Sequence, residues 1–178
     1  MPTVYRFAGG VVLVGAILAV AACDGPPPKP AIFNDRIARN NDKWNTAVAA
    51  FKGTMEPVTR GGTVSSAQAN GAYDTLEKEF TAVKRASHHM PYSSEGWNLL
   101  QKYQAYLDNE DEILHGEVKQ VVNTVGDGNL SAADKSRKVS DLYNSIQTRS
   151  KKAWDDLTTA QREFCKVHNL TPSAATGK

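Results

Sequence analysis

Apolar residues recur along most of this chain at steps of three and four. In the segment from about 31 to 56, Phe33, Ile37, Trp44, Val48 and Phe51 fall on one stripe. From about 64 to 90, Ala69, Tyr73, Leu76, Phe80, Val83, Ser87 and Met90 alternate steps of four and three without a miss. From about 94 to 125 the stripe is Leu100, Tyr103, Leu107, Leu114, Val118, Val121 and Val125. From about 131 to 169 it is Val139, Leu142, Ile146, Ala153, Leu157, Ala160, Phe164 and Val167. Such steps are the seam of helices packed against one another, and no stretch carries the period-two alternation of a strand.

The residues between these segments are breakers and caps. Pro57 to Thr63 separates the first helix from the second, and Pro91 follows Met90. Ser93 or Ser94 can cap the third helix. Gly126-Asp127-Gly128-Asn129 ends it, and Ser131 with Asp134 three residues on resembles a capping box for the fourth. All three connections are short, which favours antiparallel neighbours. The expected fold is all-α: an up-down-up-down four-helix bundle over residues 31–170, with helices of about 27 residues and about 40 Å. The fourth helix is longer, so it overhangs or bends. Residues 171–178 read as a frayed tail. Gly71 and Gly116 lie inside helices, where each weakens the helix by up to about 1 kcal/mol or marks close helix approach.

The 178 residues suit one domain. Lys and Arg number 21 against 19 Asp and Glu, a net charge of +2. That balance lacks the basic footprint of a nucleic-acid binder. Mean hydropathy is −0.45 even with an apolar N-terminus. Two cysteines, Cys23 and Cys165, are too few for a disulfide scaffold.

Residues 1–22 have a single positive charge at Arg6, followed by an apolar run from Val11 to Ala22. A spanning helix needs about 20 apolar residues, and this run is shorter, with Gly15 inside it. It reads as a secretory signal. Val20-Ala21-Ala22-Cys23 then has the form of a lipobox, and the segment resembles the signal peptides of bacterial lipoproteins. That resemblance covers residues 1 to about 30. It implies a cut before Cys23, acylation of the Cys23 sulfur and of the new amine, and a domain facing the periplasm or cell exterior. In the enterobacterial members, Asp directly after the cysteine favours retention in the inner membrane, and Asp24 matches that position. Two other endings stand beside it: an A-x-A cut after Ala19-Val20-Ala21, or an uncleaved anchor. Residues 23–30, with Pro26-Pro27-Pro28-Lys29-Pro30, suit a tether extending at about 3.1 Å per residue.

Chemistry is sparse. Glu112 and His115 form one E-x-x-H element, whereas di-iron bundles need two plus further glutamates; the pair reads as a solvated face. His88-His89 and His168 close helices, where the dipole favours basic groups. Asp127 to Lys138 begins like a calcium loop but has Ala132 where Gly and Lys138 where Glu are required. Asn40 or Asn41, Glu110, and Arg149 or Ser150 fall where the apolar stripes skip, and are candidates for a buried polar layer. Turning the last two helices about residues 126–130 sets Arg149 level with Leu107, within about a turn of Glu110 and Asp111. Trp44, Trp97 and Trp154, with Tyr73, Tyr103 and Tyr106, read as core and rim. Cys165 reads as a buried inert thiol; with Cys23 unlipidated, a Cys23–Cys165 bridge is the alternative. No nucleophile, phosphate-binding or haem motif occurs. The expectation is a non-catalytic lipoprotein module, anchored through Cys23, without cofactor, that binds a protein partner or serves envelope structure. The alternative is a bundle binding a small ligand or metal, and the long helices also allow packing between chains as a dimer.

Overall fold

A computed structural model describes residues 28–171; the expected signal, Cys23 and most of the tether lie outside the described residues. The described chain is an all-helical bundle. Its elements are α1 (Pro30–Thr59), α2 (Ser66–His88), a short 3-10 turn (Ser94–Gly96), α3 (Trp97–Ile113), a π turn (Leu114–Val118), α4 (Lys119–Gly126) and α5 (Ala132–Val167). Helical dihedrals run unbroken from α3 through the π turn into α4, so these three form one rod. Its stripe advances four residues twice running, Glu110 to Leu114 to Val118. The wider π turn absorbs that extra rotation and keeps Val118 and Val121 buried. The four rods thus match the four expected segments.

Local chemistry sets the ends. Pro30 starts α1, where its missing N–H costs nothing. The first helix does not stop before Pro57: Pro57 sits in its last turn, where few backbone bonds remain to be lost. The helix ends three residues later in a Schellman cap, with Gly62 N–H on the Pro57 carbonyl at 2.8 Å and Gly61 N–H on Val58 at 3.1 Å. Gly61 carries the left-handed φ of 78° that this cap requires. The same cap ends α5, with Asn169 at φ 53° and Leu170 N–H on the Cys165 carbonyl. Ser65 and Gln68 form a capping box at α2. Ser93 caps the 3-10 turn and Ser131 caps α5.

Each helix packs on its sequence neighbour, and α5 closes on α1. The α2 and α3–α4 stripes are buried in full. In α1, Val48 is only half-buried. In α5, no residue from Ser140 to Asp156 is fully buried, and Leu142, Ile146 and Ala153 are partly covered. Val167 was expected in the core but is 72% exposed; Cys165 and the capping Leu170 turn inward there instead. The long α5 does not overhang α1. Ser136 donates to the Thr59 carbonyl near one end, and Gln161 donates to Asn34 near the other.

Neither Gly71 nor Gly116 marks a close approach: a Cβ at either would meet nothing within 4 Å. The crowded glycine is Gly96, where a Cβ would stand 2.9 Å from the Phe33 ring. That ring packs edge-on against Phe164 at 5.7 Å, so it has little room to yield. The two sites predict opposite signs in urea denaturation. Gly71→Ala should raise stability by roughly 0.5–1 kcal/mol, and Gly96→Ala should lower it by about 1–3 kcal/mol.

Candidate functional site

The centre of the bundle holds a carboxylate. Glu110, on α3, is 6% exposed. Trp44 of α1 donates its indole N–H to Glu110 Oε2 at 3.2 Å, and the Ser150 hydroxyl of α5 donates to Oε1. A buried indole N–H needs an acceptor, and a buried carboxylate needs donors; each answers the other. Burial drives the Glu110 pKa above the ordinary carboxylate value, against the opposing pull of the Ser150 and Trp44 hydrogen bonds and the Lys52 charge.

A cavity of about 30 Å³ adjoins this carboxylate, bounded by Trp44, Lys52, Glu110, Leu114 and Tyr143 among others. The Tyr143 hydroxyl is buried without a partner, and burial pushes its pKa up to about 12. One turn along, Asn40 donates to the Tyr103 hydroxyl at 3.0 Å and to the Val83 carbonyl at 2.9 Å. Asn41 is 2% exposed with neither amide atom partnered; the Asn45 and Asn109 amide nitrogens are likewise unpartnered.

The expected polar layer therefore exists, built from candidates the sequence offered and joined by Trp44 and Tyr143. Asn40, Asn41, Glu110 and Ser150 belong to it. Arg149 does not: it lies at the surface, with both Glu117 oxygens at 2.8 Å and Glu112 at 3.0 Å. The expected level of Arg149 with Leu107 was off by about a turn. Asp127 is extended, outside the helix, and the connection pivots about residue 130. Burial pushes the Glu117 pKa up, but the Arg149 hydrogen bonds and charge outweigh it and hold the pKa low. Trp44 and Tyr143 were not foreseen as members, because each also fits an ordinary core position. Their polar atoms were the available signal.

Glu112 and His115 do not share a site. Glu112 turns to Arg149, whereas His115 turns to α2. His115 Nδ1 faces the Asp111 carbonyl at 2.9 Å and Asp111 Oδ1 at 3.0 Å, and Nε2 faces Glu77 Oε1 at 3.2 Å. Both ring nitrogens meet acceptors, which favours the imidazolium. The bond to the Asp111 carbonyl is the main cause of its raised pKa, with Glu77 adding to it against some desolvation. Beside it, Lys84 of α2 binds Asp111 at 2.5 Å and Asp108 at 3.0 Å. These groups join α2 to the rod.

The other candidates take structural places. His88 is in the last turn of α2, His89 is its C-cap, and His168 is the C-cap of α5. Asp127 Oδ1 accepts the Asn129 N–H at 2.9 Å, a turn rather than a calcium loop. Trp154 packs edge-on against Tyr106, apart from the exposed Trp97. Cys165 is a free, buried thiol with its pKa raised by that burial. Among the described residues, no group of three or more His, Cys, Asp or Glu is placed to hold a metal ion. No described helix is long and apolar enough to cross a membrane. Comparison with known protein families, with curated proteins and with solved structures returned no match.

Two pH windows follow. The folded Glu110 pKa is raised, so the native state holds its proton more tightly. Stability falls as pH rises from the unfolded value near 4.5 through the folded one. Glu110→Gln should abolish that slope. Glu110→Ala should cost about 2–4 kcal/mol below about pH 4.5 and less as pH rises, because it strands the Trp44 and Ser150 donors and enlarges the cavity. The raised His115 pKa gives stabilisation that is full below about pH 6.5 and lost as pH rises through the folded pKa. The side chain is 55% exposed, so the contribution is below about 1 kcal/mol. The stability gap between the native chain and His115→Gln should close over that range in urea titrations.

Proposed function

We propose that this chain is a bacterial lipoprotein: acylated at Cys23, tethered through its Pro-rich segment, and carrying a non-catalytic helical bundle for protein interaction or envelope structure. One observation carries the reading. Cys23 stands at the end of the apolar run Val11 to Ala22, and Asp24 to Pro30 separates it from a bundle whose first helix begins at Pro30. In this reading the bundle is held off the bilayer by roughly 22 Å of chain, on the periplasmic or outer side. Two acyl groups anchor stably, whereas one binds only marginally. The non-catalytic part is supported by how the polar groups are engaged. The groups that sequence reading singles out are largely taken up in bonds between helices, as Glu110, His115 and Arg149 illustrate.

In the same reading the bundle runs up-down-up-down. Paired residue numbers support it. Thr59 pairs with Ser136 and Asn34 with Gln161, both adding to 195. Glu110 with Ser150 and Val125 with Lys135 both add to 260. Glu77 with His115 and Lys84 with Asp108 both add to 192. A constant sum is the mark of antiparallel neighbours.

A second reading, a bundle that binds a small ligand, is favoured by the unpartnered Asn41, Asn45, Asn109 and Tyr143 groups near the Glu110 layer. Intact mass and N-terminal peptide analysis of the chain extracted from its native membrane tests the first reading. The expected mature chain starts at Cys23 and carries diacylglyceryl and N-acyl groups. An unmodified N-terminus would refute the anchor. Stabilisation by a small polar ligand that Glu110→Gln abolishes would favour the second reading.

A further inference from the structure

The large hydrophobic side chains that stand exposed gather at one end of the bundle. Among the described residues, the exposed large hydrophobic side chains are Ile32, Tyr92, Trp97 and Val167. They come from the first turn of α1, the α2–α3 connection, the first residue of α3 and the last residue of α5. Five contacts bring these points together. Gly96 lies against the Phe33 ring. Phe33 packs on Phe164, and Phe164 on His168. His168 Nε2 lies 3.7 Å from Glu95 in the 3-10 turn. Tyr92 and Trp97 form a tilted pair with centroids 5.0 Å apart.

Basic residues outnumber acidic ones at this end: the exposed Lys29, Arg36, Arg85, Arg162 and Lys166 lie in or beside the outer turns of α1, α2 and α5, against Asp35, Glu95 and Glu163. Trp and Tyr beside apolar residues and rimmed by Lys and Arg form the composition that sits at a bilayer–water interface. At the opposite end, where Thr59 to Ser66 and Gly126 to Ala132 turn, no large hydrophobic residue is exposed.

The chain beyond the described residues leaves from this apolar end. Cys23 and Pro30 are seven positions apart, a reach of about 22 Å for a Pro-rich segment. The far end of α1 is about 45 Å from its start, beyond that reach. We propose that the end carrying Ile32, Tyr92, Trp97 and Val167 docks onto the bilayer surface, with the two aromatic rings at headgroup depth and the basic side chains toward anionic lipid. The bundle then stands on the membrane instead of drifting at the end of its tether. This inference rests on the lipid-anchor reading above.

The test uses the full chain extracted from membranes and reconstituted into phosphatidylethanolamine–phosphatidylglycerol vesicles with brominated acyl chains. Flotation reports the anchor, and tryptophan emission reports docking. Trp44 is buried and Trp154 is partly buried against Tyr106, so the measurement is made in a Trp154→Phe background, where Trp97 supplies the quenchable signal. The expected result is flotation with partial quenching by bromolipid, lost in Trp97→Phe, an exposed and conservative change. Flotation with Trp97 unquenched and open to aqueous iodide would overturn docking and leave the anchor standing. Flotation with Trp97 shielded from both quenchers would assign the patch to a second copy or another protein and also overturn it. Failure to float would remove the anchor and this inference together.

Discussion

A carboxylate at the centre of an apolar bundle must be matched by donors, and this requirement ties three helices to one register. Glu110 of α3 receives the Trp44 indole from α1 and the Ser150 hydroxyl from α5. Apolar seams alone tolerate sliding by a turn, since a three- or four-residue step restores the stripe. Moving α5 by one turn would withdraw Ser150 and leave one oxygen of a buried carboxyl without its donor, at a cost of about 1–3 kcal/mol. Arg149 on Glu117 and Lys135 on the Val125 carbonyl hold that same register at the surface and at the turn.

That constraint explains features that would otherwise be unrelated. The π turn follows Glu110 within one helical turn and lets the rod present Glu110, Leu114 and Val118 in succession to the centre. The adjoining cavity and the unpartnered Tyr143 hydroxyl lie where α5 covers the layer incompletely. No residue in the middle of α5 is fully buried; Leu142, Ile146, Ala153 and Trp154 pack there partly covered, beside the hydrogen bonds of Arg149 and Ser150.

The two ends of the bundle differ in kind. One end closes with polar turns and a glycine-dependent cap at Gly61. The other gathers Phe33, Gly96, Phe164 and His168 into a tight contact and leaves Tyr92, Trp97, Ile32 and Val167 outside it. The chain toward Cys23 departs from that second end. The asymmetry gives the bundle a direction, and the proposed anchor and docking surface both follow from it.

The helices were legible because the stripes are regular. Each of the seven residues from Ala69 to Met90 marked as core is buried, and Ser131 and Ser93 cap where a helix start needs an acceptor. Val167 was misplaced because it is the last residue of α5, where the chain turns at Asn169 and Leu170 takes the inner position. Gly96 gave no sequence signal, since its demand comes from Phe33, 63 residues away. Within the polar layer, periodicity marked Glu110, Asn40 and Asn41, because a skipped apolar position is visible in one helix. Which of Arg149 and Ser150 would join them depended on a rotation and a shift between helices, which no single stripe contains. The sequence alone therefore determined the helices, their caps and the place of the lipobox-like segment, all of which depend on neighbouring residues. Tertiary structure decided the partner of Glu110, the separation of Glu112 from His115, and the gathering of exposed aromatics at one end, because each depends on how distant helices meet.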